Sequence, residues 1–281
     1  MTIPIFDGHN DTLLRYIRED DYDFFGDNET GHLDLKRAQA GGFAGGFFAC
    51  FVPSPRREEL PRPKLADFQR KDGSFSMPFP ESITQEYALG VVMTLLAHLY
   101  RIEKQADGAL TVVRTADELK TALESGTMAA IPHIEGAEAI DTDLDALEVL
   151  YEAGLRSLGL VWSRPTAFGH GVPFGYPMSP DTGDGLTDAG VALVKACNQL
   201  GIVIDMSHLN EKGFWDVAKH SDAPLVATHS NVHALCPVTR NLTDKQLDAI
   251  KETGGVVGLN FSVTFLDADG PPATDTPLQT M

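Results

Sequence analysis

Seven short stretches of this chain are almost unbroken in apolar residues: IPIFDGH near the start, then GGFFACFV, AAIPHIEG, LRSLGLVW, GIVIDMSH, APLVATHS and GGVVGLNF. Strands buried on both faces of a parallel sheet read this way, whereas half-exposed antiparallel strands alternate apolar with polar. Between them lie segments with helical character: LDLKRAQAGG, ESITQEYALGVVMTLLAHLYRIEKQ, TADELKTALESG, DLDALEVLYEAG, TDAGVALVKACNQLG, NEKGFWDVAKHSD and TDKQLDAIKETGG. Many open on Ser, Thr, Asp or Asn and close at Gly, the residues that satisfy the orphan backbone groups at helix ends. Strand and helix in alternation predict a parallel α/β fold. LTVVR near residue 112 adds a further short strand.

The polar residues choose between an open sheet and a closed one. They gather just after the apolar runs: His9 and Asp11, then Glu135, Ser163, His208 and His229. In a (β/α)8 TIM-type barrel the carboxyl ends of all strands converge on one mouth, where active sites sit. A doubly wound sheet would gather its ligand at one switch point, and neither a GxGxxG nor a GxxxxGK loop is visible. The expected fold is therefore the α/β barrel, as a single domain over residues 1–281. Its long βα loop, 53–80, is rich in Pro, Arg and Phe and reads either as a lid or as disordered cover.

Composition narrows the function. The chain is 43% hydrophobic and 22% charged without a long apolar run, which predicts a soluble globular protein with no membrane span. A net charge of -18 repels phosphate backbones, and the basic cluster Arg56, Arg57, Arg62 and Lys64 is diluted by Glu58 and Glu59, so no nucleic-acid partner is expected. Cys50, Cys197 and Cys236 show no metal-site or disulfide spacing and read as buried thiols. Without a basic segment leading into an apolar core at the N-terminus, the cytoplasm is the simplest location.

The stretch DGHND raises the chemical question. A hydrophobic strand runs into Asp7, His9 and Asp11, all of one parity, so the three side chains would share a face. One reading is a metal site; the other is a polar turn whose acids only cap the chain. Five residues, His9, Asp11, Glu135, His208 and His229, stand at strand ends. Imidazole and carboxylate suit zinc, a carboxylate can bridge two ions, and this set fits two metals sharing one Glu. Taken singly each His is more often a core or capping residue; the joint placement carries the reading. His32, His98, His220 and His233 lack it. His133 reads as a core histidine, Asp7 as a neighbour of the ligands, and Asp205 as a carboxylate that orients a ligating imidazole.

DGHND, IEGAEAI, DMSHLN, ATHSN and VTRNLTD, in this order, resemble the membrane (renal) dipeptidase family of zinc metallopeptidases in the amidohydrolase superfamily. The likeness runs from the start to about GLNF. It implies a distorted (β/α)8 barrel, two zinc ions, and hydrolysis of dipeptides, some with a D-residue at the carboxyl side, by a hydroxide held between the ions. Carried over, His9 and Asp11 bind one zinc, His208 and His229 the other, and Glu135 bridges them. Arg240, matching the family's Arg, grips the substrate's terminal carboxylate, so Glu135 and Arg240 are the catalytic pair and a small dipeptide the partner. A homodimer stays open. An N-acyl amino acid deacylase or an inactive metal-binding fragment are the alternatives.

Two departures qualify the likeness. Trp162 in LGLVWSRP stands where many members have a substrate-binding His, and His170 in AFGHGVPFG is a candidate replacement donor. The family's catalytic Asp follows a last strand, and Met281 comes before any such segment. The expectation is a barrel truncated before its final strand, a longer natural protein, and a first strand left with an unpaired edge.

Overall fold

The structure is a computed structural model describing residues 3–55 and 65–268. In chain order it contains β1 (Ile5–Asn10), α1 (Thr12–Arg18), α2 (Leu35–Gly41), β2 (Phe43–Phe51), β3 (Phe75–Ser76), α3 (Gln85–Gln105), β4 (Leu110–Val112), α4 (Ala116–Ser125) and β5 (Met128–Glu135). There follow α5 (Asp145–Glu152), β6 (Ser157–Gly159), β7 (Gly175–Tyr176), α6 (Asp188–Leu200), β8 (Val203–Asp205), α7 (Glu211–His220), β9 (Val226–Ala227), α8 (Asp244–Glu252) and β10 (Val256–Val257). Contacts divide the chain into two compact units, one of Met1–Val52, Thr84–Leu158 and Leu200–Val203, the other of Pro53–Ile83, Gly159–Gln199 and Ile204–Met281.

In the first unit β1 pairs with β2 and β2 with β5, and β5 also pairs with β4 and β6, all in parallel. The β2 to β5 register runs without a break from Gly45 opposite Ala129 to Phe51 opposite Glu135. Phe48, Ala49, Cys50, Ala129, Ala130 and Ile134 are buried. Such burial is what the unbroken apolar runs predict for parallel strands. Gly46 lets β1 approach, since a Cβ there would meet Asp7 at 2.8 Å. Over the sheet, α3 buries Ala88, Val92, Leu95, Leu99 and Ile102, a stripe at helical spacing. Helix α1 adds Leu13 and Leu14 to this core. Each fully buried Leu contributes on the order of 1.5–3 kcal/mol. The helix ends follow the capping chemistry read from sequence: Asp34, Thr84 and Thr115 accept from backbone N–H groups in the first turn, and α2 and α4 stop at left-handed Gly42 and Gly126.

In the second unit β8 pairs with β9 and β9 with β10, again in parallel. The predicted strands LRSLGLVW, GIVIDMSH, APLVATHS and GGVVGLNF shrink to two or three residues each, β6, β8, β9 and β10. The reason is visible at Asp205, whose carboxylate accepts the Ser207 N–H and turns the chain out of the strand. Val256 of β10 is 63% exposed, against the expectation of burial on both faces.

The long loop carries a short strand of its own. Its described part, from residue 65, is tied down: Phe75 and Ser76 of β3 pair antiparallel with Tyr176 and Gly175 of β7, and the Met77 N–H donates to the Phe174 carbonyl at 2.8 Å. Residues 56–64, with the basic cluster, lie outside the described residues. Beneath this strand pair Cys236, Val238 and Phe265 form a small core on which Phe174 and Tyr176 pack.

All three cysteines are buried and unpaired. Desolvation pushes their thiols up, Cys197 to about 12, so they stay protonated at neutral pH. Among the described residues no helix is long and apolar enough to cross a membrane.

Candidate metal centre

The first unit brings His9, Asp11 and Glu135 together. His9 lies on β1, Glu135 closes β5, and Asp11 stands at the N-cap of α1. Strand parity does not make the His9 and Asp11 side chains neighbours: register shifts between Asp7 and Asn10, and the strand ends at Asn10. The turn is held by the Asn10 amide, which donates to Asp7 Oδ2 at 2.9 Å and to the Phe47 carbonyl at 3.1 Å. Asp11 makes no side-chain cap bond despite its position. Its Oδ1 instead lies 3.7 Å from His9 Nε2, and Glu135 Oε2 lies 3.6 Å from the same nitrogen. The reading of DGHND as a turn with capping acids therefore fails at Asp11.

Two carboxylates facing one imidazole, with Glu135 only 5% exposed, form a concentrated negative site suited to a divalent cation. Burial pushes the Asp7 carboxyl above its usual range, against the Asn10 amide and the His9 charge. His133 is a core histidine, fully buried, its Nδ1 2.9 Å from Ser157 Oγ and its ring edge-on to His9 at 5.6 Å.

The second unit brings His208 and His229 together, with their Nε2 atoms 3.2 Å apart. Asp205 organises this pair. Its Oδ1 accepts the backbone N–H groups of Ser207 at 3.0 Å and Thr228 at 2.8 Å, and its Oδ2 accepts the Thr228 hydroxyl. That hydroxyl has spent its one proton on Asp205, so toward His229 Nδ1, at 2.8 Å, it is the acceptor. His229 then carries its proton on Nδ1 and presents a lone pair at Nε2. Asp205 orients an imidazole as expected, but through Thr228, its own Oδ2 lying 3.7 Å from His229 Nδ1.

On the other ring, Ser163 Oγ lies 3.0 Å from His208 Nδ1. With a hydroxyl oxygen at the far nitrogen of each ring, the two Nε2 atoms converge, and the His229 lone pair can accept from His208 or, with His208 in its other tautomer, both can face a cation. The donor set fits a metal ion on this ground. His208 itself is left-handed, φ 68°, a conformation costing a non-glycine residue on the order of 1–3 kcal/mol and concentrated at functional sites. Sequence reasoning gave no chemical role to Thr228 or Ser163; the signals were the place of Ser163 among the polar residues at strand ends and, for Thr228, a hydroxyl residue beside the histidine in ATHSN.

Arg240 is 3% exposed, which removes the surface ion pair as an explanation for it. Its Nη1 donates to Ser230 Oγ at 3.1 Å and its Nη2 to the His229 carbonyl at 3.0 Å. The guanidinium is thus fixed against the backbone of His229. Trp162 lies beside His208, ring centroids 6.0 Å apart. The His170 backbone pairs with the segment after His208, its carbonyl accepting the Asn210 N–H, while its buried Nδ1 has no hydrogen-bond partner among the described residues.

Parallel strands alternating with helices, with imidazoles and carboxylates collected where strands end, define a metal-dependent hydrolase of the TIM-barrel kind. The chain belongs to the membrane dipeptidase family, peptidase family M19, whose profile matches residues 1–279. It is a metallopeptidase, a hydrolase of peptide bonds.

Its likeness to solved structures extends over nearly the whole chain. A metallopeptidase from Rhodobacter sphaeroides, crystallised with a phosphinate mimic of the dipeptide L-Ala-D-Ala, is 52% identical with a TM-score of 0.88, over 97% of this chain and 78% of that one. The dipeptidase AC, a family M19 metallopeptidase, is 54% identical with a TM-score of 0.89, over 97% and 77%. An uncharacterized protein in the PQQ-III 3' region of Acinetobacter calcoaceticus is 42% identical over 278 residues, 98% of this chain and 85% of its own length.

Proposed function

We propose that this chain is a dinuclear zinc dipeptidase acting on small dipeptides, with His9 and Asp11 at one ion, His208 and His229 at the other, and Glu135 bridging them. The observation that carries the reading is the pair of Nε2 atoms 3.2 Å apart with both Nδ1 atoms engaged by hydroxyl oxygens. The meeting of His9, Asp11 and Glu135 supports the other half. Imidazole and carboxylate without thiolate are donors that zinc accepts. When bound, two such ions supply a Lewis acid for the scissile carbonyl and lower the pKa of water from 15.7 to about 7.

The remaining work falls to the chain's own residues. Thr228 and Ser163 hold the imidazoles in place, so that little reorganisation accompanies catalysis. Arg240 receives the substrate's terminal carboxylate, because a guanidinium already fixed by Ser230 and the His229 carbonyl is a preformed fork for a planar anion. That role favours dipeptides over longer chains. His170, on the strength of its unbonded Nδ1, is assigned as a donor to the substrate. The L-Ala-D-Ala mimic in the Rhodobacter sphaeroides relative supports a substrate of this size with a D-residue at the carboxyl end.

The test is hydrolysis of L-Ala-D-Ala by protein stripped with a chelator and then reloaded. Activity that vanishes on stripping and returns with zinc supports the reading. Equal activity in stripped and reloaded protein, or hydrolysis of N-acyl amino acids in preference to dipeptides, overturns it.

A further inference from the structure

One surface groove, of about 540 Å³ and lined by Ile17, Thr84, Tyr87 and Val91 among others, holds none of the proposed ligands. A smaller cavity of about 60 Å³ is chemically better placed. Its walls are Met77, Pro78, Pro80, Trp162, Pro173 and Phe174, and the polar residue in its lining is Ser163. That serine is the one whose hydroxyl lies 3.0 Å from His208 Nδ1. The Trp162 and Phe174 rings meet edge to face at 5.9 Å, and both lie against His208, at 6.0 and 6.3 Å. An apolar pocket thus opens directly beside a proposed metal ligand.

Both walls are built to hold their shape. The Trp162 ring has the Arg164 guanidinium 5.5 Å from its centroid, and Arg164 is fully buried and donates to Ser54 Oγ at 3.0 Å. The opposite wall hangs from the β3 to β7 strand pair, where the Met77 N–H donates to the Phe174 carbonyl. Phe174 is in turn stacked on Phe265 at 6.1 Å, and Phe265 lies 5.9 Å from the Arg240 guanidinium carbon. A run of packed rings therefore connects the pocket to the residue assigned to the substrate carboxylate. At about 60 Å³ the space has room for a few heavy atoms, since one water takes roughly 10–15 Å³ of such volume.

We infer that this pocket receives the side chain of one residue of the dipeptide and limits it to a small apolar group, alanine- to valine-sized, with Trp162 and Met77 as the residues that set the limit. The inference rests on the dipeptidase reading and goes beyond it in assigning selectivity to a built feature.

The experiment is kcat/KM for two dipeptide series, each varying one position through Gly, Ala, Val, Leu and Phe, on wild type, Trp162→Ala and Met77→Ala. Methylene-scale fits in apolar pockets discriminate by roughly 10–200-fold, so the wild type should fall at least about ten-fold from Ala to Phe at one position. Both variants should narrow that ratio, to about three-fold, at the same position and leave the other series unchanged in shape. Met77→Ala enlarges the pocket from the far wall and reads the same property if Trp162→Ala fails to fold. Flat size dependence at both positions, or variants that lower every substrate equally, would overturn the pocket assignment while leaving the dipeptidase standing. No rate on any dipeptide would overturn the dipeptidase reading, and the pocket with it.

Discussion

Replacing Thr228 by Val removes one hydroxyl and almost no volume, and that hydroxyl links Asp205 to His229. The substitution deletes the donor to Asp205 Oδ2 and the acceptor at His229 Nδ1 at 2.8 Å. Asp205 keeps two backbone donors, from Ser207 and Thr228, so its charge is not left bare and the strand end survives. His229 loses the Thr228 oxygen that its Nδ1 proton meets and that favours its tautomer. Removing a partner that orients a ligating histidine typically lowers metal affinity 10–100-fold, or about 1.4–2.8 kcal/mol. Thr228→Val should therefore bind zinc weaker by that factor in competition with a chromophoric chelator. Thr228→Ser, which keeps the hydroxyl, should stay close to wild type. Wild-type affinity in the Val variant, or equal losses in Val and Ser, would refute the relay.

Three further outcomes are expected. Arg240→Lys should lower kcat/KM on a free dipeptide by about ten-fold or more, because a point charge cannot reproduce a fork, and amidated dipeptides should be poor substrates for wild type; equal cleavage of acid and amide would exclude the carboxylate role. Asp34 is almost wholly buried, and although desolvation raises its pKa, the Arg37 backbone N–H at 2.9 Å and its guanidinium at 2.6 Å win and hold the carboxyl below its usual range. A depressed folded pKa gives stability that is full above the unfolded value, near 3.9, and is lost as pH falls through the folded one, so Asp34→Ala should cost about 1 kcal/mol at pH 7 and less at pH 3 in denaturant melts; a constant difference would contradict the linkage. Finally, the three buried thiols should react with an aromatic disulfide reagent only after denaturation; fast labelling of native protein would show that the packing around Cys50 or Cys197 is wrong.

The clustering of these polar side chains was legible because polar residues that interrupt buried strands are rare and several of them fell at strand ends. His9, Asp11 and Glu135 do meet in one unit and His208 and His229 in the other. The arguments from strand parity were less reliable, for a local reason. Parity applies only while the chain stays extended, and β1 has shifted register before Asp11, while β8 ends at Asp205 and the chain reaches His208 through a left-handed turn. Helix α1 was hidden because its seven residues follow directly on the DGHND turn and make barely two turns, too short a window for a helical period to stand out. The β3 to β7 pair was hidden because two-residue strands have no periodicity to read. Thr228 looked like any strand residue; only the position of its hydroxyl between a carboxylate and an imidazole gives it a role.

The claim that the chain carries a dinuclear centre bridged by Glu135 is tested most directly by metal stoichiometry. Zinc-reconstituted protein, passed through a desalting column and assayed by elemental analysis, should retain about two ions per chain on the two-metal scheme, and Glu135→Ala should lose most of both. Saturation at a single tightly bound ion, with Glu135→Ala retaining it in full, would contradict the account.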